Sequence, residues 1–299
     1  MNIVITGSLG NISRPLAELL IQKGHQLTII SSNADRKNEI EALGAKAVIG
    51  SMKDATFLSN TFKGADAVYL METLGQTSFF NHDVDVIAEI TKIGHNYKEA
   101  IEASGVKRII HLSSIGAHTN KGNGMLLFHY NVENILQQLP ADVSIKFMRP
   151  VGFYYNMYAF IPTIKAQGAI FSNYGGDEKE PWVSPLDIAA VIAEEFELPF
   201  AGRSIRYIAS DEVSPNEVAA ILGEAIGKPE IKWVQISDEQ LLNNMLSAGM
   251  NPNTAKGMVE MNAGRRKGTL YADYHQHPPV LGKVKLKEFA KDFAKAFQR

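Results

Sequence analysis

Two glycines in a short turn near the start of the chain offer backbone groups that can bind a pyrophosphate. The turn, residues 7–13 with the sequence GSLGNIS, lies between an apolar run and an amphipathic helical pattern. Gly7 permits the tight turn from strand to helix, and Gly10 lets the backbone approach the phosphates. The first amides of the helix have no partner within it and point at the same place. The turn therefore predicts a dinucleotide site, with Ser13 where a third glycine normally packs the helix on the strand.

The end of the second apolar run indicates which dinucleotide to expect. An acidic residue at that tip would accept from a ribose 2′-hydroxyl, whereas a basic one would pair with a 2′-phosphate. The tip reads Ser31 to Asn33 and is followed by Asp35, Arg36 and Lys37, so no carboxylate stands at the tip itself. The pattern favours NADP(H) held by Arg36, and Asp35 keeps NAD(H) possible. The alternative is that Arg36 and Lys37 only form a solvated helical turn.

Seven short apolar runs alternate with helical patterns through the first two thirds of the chain. Such alternation is typical of βαβ crossovers feeding a parallel sheet whose strands are covered on both faces. The predicted strands are residues 2–6, 26–31, 45–50, 67–71, 108–113, 144–149 and 204–209. A helix is predicted after Asn11, and a longer one from near His82 to Gly105. The sequence thus predicts an α/β fold of the Rossmann type, with a doubly wound parallel sheet.

Beyond Asp211 the pattern changes to successive helices with capping boxes, which predicts a smaller, mostly helical C-terminal lobe. We expect residues 1–155 to form the dinucleotide-binding domain, with 183–210 contributing a helix and a strand. Residues 156–182 and 211–299 are expected to form the smaller lobe. Its last segment has an apolar stripe from Leu286 to Phe297 that predicts a docked amphipathic helix.

Composition excludes several classes of function. The 299 residues carry a formal net charge of −2 and show no dense basic stretch, which argues against direct nucleic-acid binding. The absence of cysteine excludes thiol catalysis and cysteine-based metal sites, and no metal site is expected. No apolar stretch approaches about 18 residues, and no cationic leader precedes the first apolar run. These features predict a cytoplasmic protein with no membrane association.

Five segments together resemble the NmrA-like family of atypical short-chain dehydrogenase/reductases. They are TGSLGNIS, LSSIGAH, HYNVENIL, RPVGFYYNM and WVSPLDIAAVIAEEF, and they span nearly the whole chain. Members of this family include NAD(P)H-dependent quinone or dye reductases and redox-sensing regulators that bind the dinucleotide without known turnover. The resemblance implies a cofactor site lined by Gly7, Ser8, Leu9, Gly10, Asn11, Ile12, Ser31, Ser32, Asn33, Ser51, Met71, Glu72, Thr73 and Ser113. It also implies that Pro150, Val151, Phe153 and His129 lie near the nicotinamide.

A conventional short-chain dehydrogenase uses a tyrosine four residues before a lysine on one helix face. No tyrosine of this chain offers that pair; Tyr130, for example, is followed at four by Asn134. A conjugated acceptor can take hydride directly and collect protons from water, so it does not require the pair. His129 is the candidate catalytic residue; with Glu133 on the same helix face it could donate a hydrogen bond to an acceptor or orient that acceptor. The alternative for these two is an ordinary helix-surface pair.

The sequence therefore predicts an NAD(P)H-dependent oxidoreductase that reduces a quinone-like or conjugated aromatic small molecule by direct hydride transfer. The second hypothesis is an NAD(P)-sensing regulatory protein without turnover, which would act through a protein partner. Phe153 and Tyr154 are the candidate substrate residues, since an aromatic run can line a flat apolar slot. Core packing is the alternative for both, and a homodimer is possible.

Overall fold

The computed structural model describes residues 1–299 except for the side chain of Gln76. Twelve strands are present within the described chain: β1 Asn2–Ile5, β2 Gln26–Ser31, β3 Lys46–Ile49, β4 Ala67–Leu70, β5 Arg108–Leu112, β6 Ser144–Pro150, β7 Gly152–Phe153, β8 Ala169–Ser172, β9 Glu180–Val183, β10 Arg203–Ile208, β11 Asp211–Val213 and β12 Lys232–Gln235. Seven of them form one parallel sheet in the order β10-β6-β5-β4-β1-β2-β3. These are the seven predicted strands, and every end lies within one residue of its predicted position. The Rossmann-type sheet is confirmed.

The described residues also form twelve α-helices: α1 Ser13–Gln22, α2 Lys37–Ala42, α3 Ala55–Phe62, α4 Val86–Ser104, α5 Leu127–Gln137, α6 Ile161–Gln167, α7 Pro185–Glu197, α8 Pro215–Ala225, α9 Asp238–Ser247, α10 Pro252–Arg266, α11 Ala272–Gln276 and α12 Leu286–Phe297. The long predicted helix begins at Val86 rather than near His82, because the Asp85 side chain caps it by accepting from the Ala88 amide at 3.0 Å. It ends at Gly105 as expected, with φ of 77°. No helix in the described part of the chain is long and apolar enough to cross a membrane.

Helices cover both faces of the sheet. Leu16 of α1 and Ile192 of α7 are fully buried on one face, whereas Tyr97 of α4 and Val132 of α5 are fully buried on the other. Gly94 allows α4 and α5 to approach closely, because an added Cβ would lie 2.9 Å from the Val132 side chain. The sheet is therefore buried on both sides, which leaves its edges and strand ends for function.

The C-terminal lobe combines helices with short strands. The predicted capping boxes are confirmed at Ser214 and Ser237, and the predicted stripe on α12 buries Leu286 and Phe293. Strands β11 and β12 were not predicted, since runs of three and four residues with polar ends give no clear periodicity. Strand β9 pairs with β7 and with β11, so a small three-stranded sheet links the lobe to the end of β6. The predicted domain bounds stay a prediction.

Candidate functional site

The turn between β1 and α1 has the backbone geometry that its glycines predict. Gly7 has φ of +87°, and an added Cβ would collide with the Met71 side chain. Ser8 has φ of 55° and is the described non-glycine residue with positive φ; its amide donates to the Ile30 carbonyl at 3.1 Å. Gly10 is exposed, and a Cβ there would meet only the Gly7 carbonyl at 3.5 Å. Packing within the protein therefore does not require glycine at position 10. The close approach of a ligand to the backbone would explain why this residue is a glycine.

The amides after this turn are available to an anion. Among the described residues, the N–H groups of Gly10, Asn11 and Ile12 donate to no protein acceptor. They precede the first turn of α1, where Pro15 removes no hydrogen bond. Unsatisfied amides at a helix start favour a phosphate group, both by hydrogen bonding and by the helix dipole.

A cleft of about 630 Å³ opens beside this turn. It lies where the strand order reverses between β1 and β4, which is where open α/β sheets bind ligands. Six of the predicted cofactor residues line it: Gly7, Ser8, Ser31, Ser32, Ser51 and Thr73. A volume of this size is in the range of small-molecule and cofactor sites. The structure thus brings together residues from four separate strand ends.

Other predicted cofactor residues lie near the cleft, but their side chains do not line it. Leu9 and Ile12 are buried in the core beneath the turn, so only their backbone can reach a ligand. Asn11 is exposed. Met71 packs against Gly7, and its carbonyl accepts from the Tyr97 hydroxyl at 2.6 Å. Their roles at the cofactor stay a prediction.

The tip of β2 gathers hydroxyls and two arginines. The Ser8 hydroxyl donates to Ser31 Oγ at 3.0 Å. Beyond the tip, Arg36 donates to Glu39 Oε2 at 2.6 Å, and Arg14 of α1 pairs with the same carboxylate. Asn33 caps the turn after the strand through a bond from the Asp35 amide at 2.9 Å. Arg14 was not predicted, because only the fold brings α1 beside α2.

Lys53 is a second residue that the sequence did not single out. It lines the cleft next to Ser51 and donates to Glu89 Oε2 at 2.8 Å. Hydrogen bonds from Lys53 and Lys92 hold the pKa of Glu89 well below its usual range, at about 2. The carboxylate therefore stays ionised in the cleft wall across the physiological pH range.

Glu72 has a different position from the one expected. Its carboxylate accepts from His111 Nε2 at 3.0 Å, with both side chains fully buried. His111 lies on β5 and packs edge-on against Phe147, at 5.8 Å between ring centroids. The prediction that the Glu72 side chain lines the cofactor is therefore not supported by its position. A histidine within the apolar run RIIHL was the available sequence signal for this pair.

Ser113 belongs to a buried polar network at the ends of β5, β6 and β10. Its hydroxyl donates to Glu133 Oε1 at 2.5 Å, and Arg149 binds both Glu133 oxygens, at 2.9 and 2.6 Å. Arg149 also donates to Asp273 at 3.0 Å, and the Tyr207 hydroxyl donates to Asp273 at 2.6 Å. Burial alone would lower the pKa of Arg149, but the adjacent carboxylate outweighs it and the pKa is raised.

This network corrects the expected pairing on α5. Glu133 binds Arg149 and Ser113, so its carboxylate is already paired within the protein and does not form a pair with His129 toward an acceptor. His129 is partly buried, and its Nδ1 atom is fully buried with no hydrogen-bond partner among the described residues. Burial, with a smaller contribution from His111, lowers the pKa of His129 to about 3. Its imidazole is therefore neutral at neutral pH and can donate a hydrogen bond but not act as a cationic acid.

The two candidate substrate aromatics separate in the fold. Pro150 and Val151 are buried at the end of β6, next to the end of β5, and Phe153 is partly buried with its ring 5.1 Å from Tyr155. Tyr154 instead lies in the core of the lobe, where its ring stacks on Phe289 at 5.4 Å. This position favours core packing over a substrate role for Tyr154.

Within the described residues, no group of three His, Asp or Glu side chains is arranged to hold a metal ion.

Tyr130 stands four residues before Asn134, whose side-chain amide donates to the Tyr130 carbonyl at 2.7 Å. Position 134 therefore holds no lysine that could act on the Tyr130 hydroxyl.

Solved structures of low sequence identity share this fold along almost their whole length. The NADPH-dependent quinone oxidoreductase of Escherichia coli, solved with NADPH, superposes with a TM-score of 0.81 at 21% identity, covering 97% of this chain and 99% of its own. The triphenylmethane reductase of Citrobacter sp., solved with NADP(H), gives 0.77 at 18% identity, covering 98% and 100%.

Sequence comparison gives a related result. A (4-alkanoyl-5-oxo-2,5-dihydrofuran-3-yl)methyl phosphate reductase of Streptomyces griseus is 25% identical over 228 residues, which cover 76% of this chain and 74% of that protein. The model of the NmrA-like family matches residues 1–282. The match includes the phosphate turn, the cleft and the buried network, and the chain belongs to the NmrA-like family.

Proposed function

We propose that the protein is an NADP(H)-dependent reductase of a quinone-like or other conjugated aromatic acceptor. The observation that carries the proposal is the cleft at the strand reversal, which is lined by Gly7 and Ser8 of the turn and by hydroxyls from three further strand ends. The unpartnered amides of Gly10 to Ile12 follow in the same turn. The solved quinone oxidoreductase and triphenylmethane reductase, which have the same fold, support this class of acceptor.

The chain's own residues fit the parts of this cofactor. The amides of Gly10 to Ile12 would bind the pyrophosphate, and Ser31 and Ser32 would contact the adenosine ribose. Arg14 and Arg36 would bind the 2′-phosphate. Both arginines now pair with the Glu39 carboxylate, which is negatively charged like the phosphate. Glu39 would then compete with the phosphate, so its removal should increase the affinity for NADPH.

A bound dihydronicotinamide supplies a hydride, and the protein positions the acceptor and excludes water. Ser113 has its hydroxyl hydrogen committed to Glu133, so it can accept a hydrogen bond from a ligand but not donate one. His129, whose imidazole is neutral, would be the hydrogen-bond donor to the acceptor. Neither residue matches the acid that a simple carbonyl requires, which favours an acceptor that stabilises its own negative charge after hydride transfer.

The test is a calorimetric titration of the purified protein with NADPH and NADH, followed by absorbance loss of the bound cofactor after a simple quinone is added. We expect tighter binding of NADPH and rapid oxidation. Arg36→Ala should weaken NADPH binding by about tenfold with little effect on NADH, and Glu39→Gln should strengthen it.

Three other outcomes are informative. Equal affinity for NADPH and NADH in the wild type would contradict the 2′-phosphate assignment. Binding with no oxidation across several conjugated acceptors would instead favour the regulatory alternative, an NAD(P) sensor that acts through a protein partner. The absence of binding to either dinucleotide would overturn the proposal.

A further inference from the structure

The segment between β4 and α4 forms one wall of the cofactor cleft. Thr77, Ser78, Asn81 and Val84 of this segment line it. The segment is mostly irregular, so its position depends on contacts made by its backbone. Phe79 and Val84 pack against the core of the Rossmann part, and further contacts to residues 79–84 come from the C-terminal lobe, at the start of α10.

Asn251 makes these contacts. Its side-chain amide donates to the carbonyls of Asn81, at 2.9 Å, and Val84, at 3.2 Å. Its backbone N–H donates to the Phe79 carbonyl at 2.9 Å. A residue 170 positions away in sequence therefore fastens three carbonyls of the cleft wall.

The same side chain also starts α10. Asn251 Oδ1 accepts from the amides of Asn253, at 2.9 Å, and Thr254, at 3.3 Å, which is an N-cap. The residue is 3% exposed, and both donors and the acceptor of its amide are used. Aspartate has no donor for the two carbonyls, and serine is too short to reach them. Asparagine alone among the common N-cap residues joins the helix to the wall in this way.

Helix α10 is itself held firmly against the Rossmann part of the chain. An added Cβ at Gly257 would lie 2.8 Å from the Met125 sulfur, and one at Gly264 would collide with the Gly122 carbonyl. These glycines let the helix backbone contact the segment that leads from β5 into α5. The N-terminal end of α10 thus supports the cleft wall that the segment between β4 and α4 forms.

We propose that Asn251 is a positioning residue that couples cofactor binding to the C-terminal lobe; this inference depends on the proposed binding of NADP(H) in the cleft. Cofactor contacts with residues 77–84 stabilise the wall, and the wall stabilises the start of α10 through the Asn251 amide. Because such coupling is reciprocal, an ordered α10 also increases the affinity for the cofactor.

The experiment compares wild type with Asn251→Ser and Asn251→Asp by NADPH titration and by hydrogen exchange with and without saturating NADPH. Both variants keep an N-cap acceptor and lose the donors, and the aspartate places a negative charge beside two carbonyls. We expect the dissociation constant for NADPH to rise about tenfold for serine and further for aspartate. NADPH should slow exchange at residues 251–254 in the wild type but not in the serine variant.

Ser237→Ala is the matched control, since it removes the N-cap of α9 in the same lobe without touching the cleft wall. It should lower the thermal midpoint and leave NADPH affinity unchanged. If Asn251→Ser behaves like Ser237→Ala in both measurements, the coupling is refuted and Asn251 is only a cap. If the wild type itself does not bind NADPH, the proposed cofactor is wrong, which is a distinguishable result.

Discussion

The carboxyl edge of the sheet holds two groups of polar residues that differ in how far their hydrogen bonds are satisfied. At the turn after β1, the amides of Gly10 to Ile12 are unpartnered among the described residues, and Gly10 and Asn11 are exposed. At the ends of β5, β6 and β10, the side chains of Ser113, Glu133 and Arg149 are buried and bonded to one another.

The difference separates binding from architecture. Leaving an exposed amide without a protein partner costs little free energy, because water can bond to it. Binding of an anion to the same amide is then favourable. A buried ion pair has already exchanged water for protein partners, so it stabilises the fold only as long as both partners remain. Substitutions in the first group should affect ligand affinity, and substitutions in the second should affect unfolding.

The largest expected effect is on stability, from Arg149→Met. This change leaves the buried Glu133 carboxylate without its cation and removes one partner of Asp273, which should lower the free energy of unfolding by about 3–5 kcal/mol. Arg206→Met on neighbouring β10 is the control, because that guanidinium is 37% exposed and its ion pairs should contribute at most about 1 kcal/mol. Urea denaturation measures the free energy of unfolding of both variants. Equal losses of stability would show that the network contributes no more than a surface ion pair.

The second effect is on binding, from Gly10→Val. The added side chain occupies the space where the pyrophosphate would approach, so NADPH affinity should fall by about a hundredfold or more. The thermal midpoint should change little, because a Cβ at this position meets only the Gly7 carbonyl at 3.5 Å. Calorimetry and thermal denaturation on the same sample test this, with Gly10→Ala as a smaller intermediate. Retained affinity in the valine variant would locate the phosphate turn elsewhere.

The smallest effect concerns His129 on α5. Its pKa of about 3 in the folded protein is below its ordinary value of about 6.5, so the unfolded chain binds more protons between these values. Its contribution to stability is complete above about pH 6.5 and is lost as the pH falls toward 3. From pH 7 to pH 5, His129→Gln should lose about 2 kcal/mol less stability than the wild type.

Urea denaturation at the two pH values measures this difference, and His277→Gln, at an exposed histidine, provides the control. Identical acid sensitivity of wild type and His129→Gln would show that the imidazole titrates normally. It would then be available as a cationic acid near neutral pH.

The central strands could be predicted closely because they are buried on both faces and are mostly apolar, whereas the edge strands β3 and β10 are partly exposed. The lobe strands could not, since β12 has exposed polar ends and only Trp233 is well buried within it. Local sequence was also largely sufficient for the turn after β1, where Gly7 has the expected positive φ; the positive φ of Ser8 was not predicted.

Contacts between distant segments account for what the sequence did not reveal. Arg14 reaches Glu39 across 25 positions, and His111 reaches Glu72 across 39. Nothing in the residue types near Glu133 indicated that Arg149 rather than His129 would be its partner. Similarly, the aromatic run at 153–155 gave no means of deciding that Phe153 lies near the strand ends whereas Tyr154 points into the lobe.

The core of the lobe also has a consequence for the order in which the chain folds during synthesis. The Tyr154 hydroxyl donates to the carbonyl of Val284, 130 positions later, and Asp187 accepts from the amides of Lys283 and Val284. The last strand of the sheet, β10, has emerged once residue 208 is synthesised, but the lobe remains open until residues near 284 have emerged. Chaperones that bind exposed aromatic surface would therefore meet the Tyr154 segment for much longer than any part of the sheet.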